Sequence, residues 1–239
     1  MPLPKIATPT YELELPSTGE TIQYRPFLVK EEKLLVIALE SEDNKQITTA
    51  IKTVIKNCIL TKNIKVELLP TFDIEFLFLN IRGKSVGEEL DINIICPDDG
   101  ETEVPVKINL DDIQVQKSEE HSNRIKIDDK IMMEMKYPSL DQFIKNNFDF
   151  DNKNAMDQSF DLIGSCIDKI YTEDEVWATA DVSKKELNEF LESMNSSQFK
   201  DIEKFFETMP KLSHTIKVTN PNTQVESEVV LEGLASFFA

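Results

Sequence analysis

Apolar and polar residues alternate with period two near the start, the middle and the end of the chain, with helical spacing between. Tyr11-Glu-Leu-Glu-Leu15 alternates, Pro16-Ser-Thr-Gly19 supplies turn residues, and Thr21-Ile-Gln-Tyr24 resumes the alternation, which predicts a short β-arm. Arg25-Pro26-Phe27 ends it, because proline has no N–H to give to a ladder. Leu34, Leu35, Ile37, Ala38 and Leu39 among charges predict a short helix. A second is predicted from Ile47 to about Ile59, with Ile47, Ile51, Val54, Ile55, Cys58 and Ile59 on one side. Thr71-Phe-Asp-Ile-Glu75 offers a capping residue and an acidic first turn for a third helix over Asp73–Arg82. Its Phe72, Phe76, Phe78 and Leu79 are too apolar for a surface helix, so much of it is expected to be buried.

A β-ribbon follows: Glu89–Cys96 alternates, Pro97-Asp-Asp-Gly100 turns, and Glu103–Leu110 returns. Further strands are predicted at Ile113–Gln116, Arg124–Ile127 and Met132–Tyr137, with Lys117–Asn123 a polar loop. Pro138-Ser-Leu-Asp opens a helical second half, and Asp149–Asp157 reads as a linker. Helices are predicted at about Met156–Ile170, Lys184–Ser193 and Ser197–Glu207, the second started by a Ser183/Glu186 capping box. A second ribbon, His214–Thr219 and Val225–Leu231 around Asn220-Pro-Asn-Thr223, leads to an apolar tip, Gly233–Ala239. The pattern is α+β: helices, two β-hairpin ribbons and an N-terminal β-arm. It divides into an arm (1–28), an α+β region with the central ribbon (29–148), and a helical region ending in the second ribbon and apolar tip (149–239). Each half reads as helices followed by a hairpin.

Charge narrows the partners. The 239 residues carry a net charge of −18, which repels phosphate backbones and anionic lipid heads and disfavours nucleic acid as a partner. Such acidity serves solubility or steers the chain to a basic partner. Cys58, Cys96 and Cys166 are distant and odd in number, which fits no disulfide framework and suits a reducing compartment such as a cytoplasm. The N-terminus has no signal-peptide core, and apolar runs such as Leu34–Leu39 fall far short of the roughly 20 residues a membrane span needs.

Catalytic motifs are scarce. His121 lies in the polar loop and His214 at the start of the last ribbon, neither with a triad pattern around it, so a surface imidazole and a strand-end residue are expected. Gly83-Lys84-Ser85 resembles the end of a Walker A motif, but the earlier glycine is replaced by Phe78 and the triplet follows a helix, so Gly83 reads as a turn former. Asp98-Asp99, Asp111-Asp112 and Asp128-Asp129 are pairs that composition alone produces, and Asp149, Asp151 and Asn152 lack the glycine and final glutamate of a calcium loop. Cys96-Pro97-Asp98-Asp99-Gly100 has the outline of a zinc knuckle, Cys-Pro-x-Cys-Gly, with Asp99 at the second thiol position. Asn220-Pro221-Asn222-Thr223 repeats the proline without a thiol. Of four ribbon thiols only Cys96 remains, so the hairpins read as degenerate zinc-ribbon knuckles, with no metal and no cofactor expected.

Leu13-Glu-Leu-Pro-Ser-Thr-Gly19, Tyr24-Arg-Pro-Phe27 and Lys30-Glu-Glu-Lys33 resemble the opening of the baseplate hub and hub-assembly proteins of T4-like myoviruses. Arg82-Gly-Lys-Ser-Val-Gly87 leading into the Cys96 hairpin resembles the same family, as does the stretch from Phe205-Phe-Glu-Thr-Met-Pro-Lys-Leu212 through Leu231–Phe238. The resemblance spans nearly the whole chain. It implies a non-enzymatic role in building the tail hub, among other phage baseplate hub proteins, in the host cytoplasm during assembly or in the virion tail. It also implies cysteine pairs in the hairpins, of which this chain keeps one thiol. The expected contact residues are Tyr24, Arg25 and Phe27 on the arm and Leu234, Phe237 and Phe238 at the tip. Burying two phenylalanines contributes roughly 3–6 kcal/mol, enough to close the chain's own core or to dock on a partner. The alternative reading is a metal-stabilised regulatory module binding host protein or nucleic acid.

Overall fold

The period-two alternation at residues 11–24 closes into a hairpin: β1 (Tyr11–Glu14) pairs antiparallel with β2 (Thr21–Tyr24), Leu13 opposite Ile22. A computed structural model describes residues 6–140, 155–233 and 236. The Gly19 N–H donates to the Leu15 carbonyl at 2.8 Å with φ +73°, a left-handed turn position suited to glycine. Arg25-Pro26-Phe27 ends the arm as predicted, and α1 (Val29–Glu40) and α2 (Asn44–Cys58) follow. Asp43 caps α2, its carboxylate accepting the Lys45 N–H at 2.8 Å. Ala50, Val54, Ile55 and Cys58 are the buried side of α2.

The third helix, α3 (Thr71–Val86), runs one turn further than its sequence pattern predicts and is buried almost all round. Gly83 is therefore a helical residue and not a turn former. A Cβ there would stand 3.2 Å from the Leu110 side chain, so glycine serves close packing. Next come β3 (Glu89–Ile95), β4 (Glu103–Asn109) and β5 (Gln114–Gln116). Then follow β6 (Arg124–Lys126), β7 (Met132–Met135), α4 (Ala155–Cys166), β8 (Ile167–Tyr171), β9 (Val176–Ala178), α5 (Lys184–Glu192) and α6 (Ser196–Thr208). The chain continues with β10 (Lys211–Thr219) and β11 (Glu226–Glu232). The class is α+β, as the sequence pattern implies: helices with several small antiparallel sheets.

The chain forms two compact units that interleave the sequence. One comprises residues 1–66, 72–116 and 211–239, the other 67–71 and 117–210. In the first unit β5 joins β10 and β11 in a three-stranded sheet, with Gln116 opposite Lys211. The stretch 117–210 thus leaves and re-enters between two paired strands. The core joining these strands to the β3–β4 hairpin contains Leu79, Leu90, Ile92, Ile94, Ile108, Ile113, Leu212, Ile216, Val218 and Leu231. Both predicted ribbons therefore belong to one unit. Pro105 lies in β4, a strand paired on one side only, where a missing N–H is tolerated.

The second unit has a four-stranded antiparallel sheet, β6-β7-β8-β9. Its core unites Ile125, Met133 and Met135 with Ile163, Cys166, Ile167 and Ile170, and with Leu187, Leu191, Ile202 and Phe205. Here a helix predicted over residues 156–170 is overturned, because it stops at Cys166 and Ile167–Tyr171 is a strand. Ile163, Cys166, Ile167 and Ile170 have helical spacing, yet β8 shifts register against β7 so that Met135 faces Ile167 and Glu134 faces Lys169. This irregularity adds one residue and buries both Ile167 and Ile170, which a regular strand would point oppositely. The predicted Ser183–Glu186 box starts α5, with the Ser183 N–H donating to Glu186 at 3.0 Å and the Glu186 N–H to Ser183 Oγ at 3.3 Å. Asn195 and Gln198 make a second, unpredicted box at α6.

Candidate functional site

The chemistry singled out by the sequence gathers at the tips of the two ribbons in the first unit. Cys96 and Asn220 hold matching places. The Gly100 N–H donates to the Cys96 carbonyl and the Gln224 N–H to the Asn220 carbonyl, each at 2.9 Å. Both turns close on a left-handed residue, Gly100 at φ +69° and Gln224 at φ +61°.

The tips are tied by side chains. Asn220 Nδ2 donates to both Asp98 oxygens at 3.0 and 3.1 Å and to Asp99 at 2.8 Å. Its carbonyl oxygen accepts the N–H groups of Asn222 and Thr223 at 2.8 and 3.3 Å, so the buried amide is fully engaged. The Thr223 hydroxyl donates to Asp98, and Asn222 Nδ2 to Thr102 Oγ1 at 3.0 Å. Asp99 accepts the N–H groups of Glu101 and Thr102, both at 3.0 Å. The Thr223 hydroxyl and the Asn220 amide hold the Asp98 carboxyl below the usual carboxylate range, and Thr102 does the same for Asp99 through its hydroxyl and N–H. Burial and these two carboxylates push the Cys96 thiol up, so it stays protonated at neutral pH.

This is a poor zinc site and a good clasp. Zinc needs four thiolate or imidazole ligands, whereas the four knuckle positions hold Cys96, Asp99, Asn220 and Thr223. Among the described residues no three His, Cys, Asp or Glu side chains gather as a metal would require. An amide with two donors faces two ionised carboxylates where a cation would otherwise sit.

The expected contact residues on the arm turn inward. Tyr24 is buried, with its ring centroid 5.8 Å from that of Tyr11. Arg25 is largely buried and pairs with Glu31 at 3.0 Å; Glu31 also accepts the Leu28 N–H at 2.9 Å. Burial works to raise the Glu31 carboxyl, but the hydrogen bonds from Arg25 and Leu28 outweigh it, leaving it below its ordinary range. Phe27 is half-buried and gives its N–H to Ser85 Oγ at 2.9 Å. Arg25 and Glu31 fix the start of α1. The side chains offered outward here are the next ones, Leu28 and Val29. Leu234, Phe237 and Phe238 lie outside the described residues, as do Asp149, Asp151 and Asn152 and most of the expected linker.

The remaining titratable candidates are structural. His121 is half-buried, not a free surface imidazole. Its ring nitrogens meet Thr208 Oγ1 and the Tyr137 hydroxyl, each at 3.0 Å, and its ring lies against Tyr137 and Phe205. Thr208 donates its own proton to the Lys204 carbonyl at 2.7 Å, so Nδ1 carries the imidazole hydrogen and Nε2 accepts from Tyr137. Burial pulls the His121 pKa down, favouring the neutral ring. His214 is the fourth residue of β10, opposite Leu231, rather than a strand end. Asp128 accepts the N–H groups of Lys130 and Ile131 at 2.7 and 2.8 Å in a turn. All three cysteines are free and buried, and burial pushes Cys58 and Cys166 up to about 11.

The polar groups at the two hairpin tips are occupied in tying the hairpins to each other. The chain belongs to the T4 bacteriophage base plate protein family, which it matches over residues 8–239. No curated protein and no solved structure matches it. Membership places it in the tail baseplate, a structural assembly in which it meets other baseplate proteins. Among the described residues no helix is long and apolar enough to cross a membrane.

Proposed function

We propose that this baseplate protein is a subunit of the central hub or a factor that assembles the hub, acting by contact and without catalysis. The observation that carries the reading is the family match across residues 8–239, together with the hub-like segments at both ends and the middle of the chain. The occupied state of its reactive groups supports the non-catalytic part. His121 has both nitrogens engaged, and the cysteines are buried as thiols. A nucleophile needs a thiolate or a neighbouring base, and these groups have neither.

Mass spectrometry of purified virions beside baseplate precursors tests it. Presence in both makes the chain a hub subunit, and presence in precursors alone makes it an assembly factor. Absence from every baseplate intermediate overturns the proposal. So does steady turnover of a substrate by the purified chain.

A further inference from the structure

We propose that the open edge of β9, centred on Trp177, docks an extended segment of a partner protein, which adds a fifth strand to the sheet and carries basic residues beside an apolar one. This rests on the reading of the chain as a baseplate contact protein and names the surface that makes the contact.

The sheet of the second unit is unfinished at this end. Its registers line up Ile125, Met133, Ile170 and Trp177 in one row across the four strands. The first three are 6%, 0% and 9% exposed, whereas Trp177 is 41% exposed. On the opposite face Met132, Tyr171 and Val176 form a second row, half-buried until it reaches Val176, which is 66% exposed. Both apolar rows thus run into solvent at β9, and a further strand would continue them. The main chain is open there as well. The Thr172 N–H donates to the Glu175 carbonyl at 2.8 Å, which fixes the alternation of the ladder. Trp177 is bonded towards Ile170, while Val176 turns its N–H and C=O, and Ala178 its N–H, away from β8. Among the described residues no strand pairs with that side. Edge strands are ordinarily guarded by charge or proline. Thus β6 presents Arg124 and Lys126, β4 presents Pro105 and Lys107, and β11 presents three glutamates. The β9 strand, Val176-Trp-Ala178, has neither guard.

Charge selects the occupant. Glu173-Asp174-Glu175 leads into β9 and Asp181 follows it, with no lysine or arginine between Ile170 and Ser183. All four acids are exposed, and none makes an ion pair or a side-chain hydrogen bond within the chain. Lys169, opposite Ala178 on β8, gives its charge to Glu134 at 3.2 Å. A basic strand meets both features, with its cations on these acids and an apolar residue beside Trp177. A second copy does not. In an antiparallel pair of β9 strands centred on Trp177, Glu173 and Asp181 would face each other, like charge against like. A phosphate backbone is repelled by the same acids and has no N–H groups to complete a ladder.

The test titrates the purified full-length chain by calorimetry against each purified baseplate protein of the same virus in turn. One of them binds, with an affinity that falls with added salt. Trp177→Ala raises its Kd at least tenfold. Val176→Pro, which removes an N–H that β8 does not use, and the exposed pair Glu173→Lys/Glu175→Lys raise it as well. Ile37→Asp, at an exposed apolar position in the other unit, leaves it unchanged. If Trp177→Ala or Val176→Pro lowers the unfolding midpoint, the acidic pair decides. Amide hydrogen exchange reads the added strand directly: Val176 and Ala178 exchange rapidly in the free chain and slowly in the complex. Protection of both in the free chain, or self-association that Val176→Pro abolishes, overturns the proposal. Binding that ignores the variants overturns the surface and leaves the hub reading standing. Failure of every baseplate protein to bind overturns that reading and the surface with it.

Discussion

The β3–β4 and β10–β11 hairpins have related turns and unlike contents. One turn carries Cys96 and two carboxylates; the other carries Asn220, Asn222 and Thr223. Each alone is an exposed polar tip. Together they are complementary, because the first supplies acceptors and the second supplies donors. Lower on the same ribbons the joining is apolar, through residues such as Ile108 and Ile216. The difference teaches that two knuckle-shaped turns can be tied by side chains, provided that one supplies acceptors and the other donors.

The comparison can be broken from the bottom upward. Ile108→Ala removes a buried side chain from the shared apolar core and is expected to cost about 3 kcal/mol, read from urea denaturation midpoints. Asn220→Ala leaves the paired carboxylates without their common donor and is expected to cost about 2 kcal/mol in the same assay. An equal loss from Asn222→Ala, whose amide meets only Thr102 across the tips, would argue that the clasp is not centred on Asn220.

Acid sharpens the same point. The Asp98 carboxyl is held below its unfolded value, so its contribution is present above the usual carboxylate range and disappears as pH falls through the folded value. The denaturation midpoint therefore drops as pH falls below the usual carboxylate range, and Asp98→Asn makes that drop shallower. A variant as acid-sensitive as the wild type would remove Asp98 from the clasp. The turn backbones come next. Gly100→Ala places a side chain at φ +69°, where it meets no neighbour, and costs about 1 kcal/mol from backbone conformation alone. Gln224→Gly, at the matching place, is neutral or stabilising by less than that. The smallest effect is none: a chelator leaves the midpoint unmoved, whereas a metal-held ribbon would unfold.

How far the sequence reaches depends on the range of the interaction. The hairpins, α2 and the Ser183 cap were legible because alternation, helical spacing and capping chemistry act over a few residues. The β8 strand was not, because its register irregularity gives Ile167 and Ile170 the spacing of a helix and only pairing with β7 distinguishes the two. His121 sits in a stretch that reads as polar loop, and its partners, Tyr137 and Thr208, are 16 and 87 residues away. For the clasp, the two Pro-containing turns and the missing thiols were visible in the sequence. That Asn220 fills the gap depends on an approach across 122 residues.

By itself the sequence determined the α+β class, the net acidity and the resemblance to phage baseplate proteins, all of which are properties of composition or of neighbouring residues. Tertiary structure alone decided that both ribbons share one core, that residues 117–210 depart and return between paired strands, and that Tyr24 and Arg25 face inward while α1 faces out. The reason is physical: periodicity says which side chains avoid water, but only packing says which of several apolar faces finds a partner within the chain.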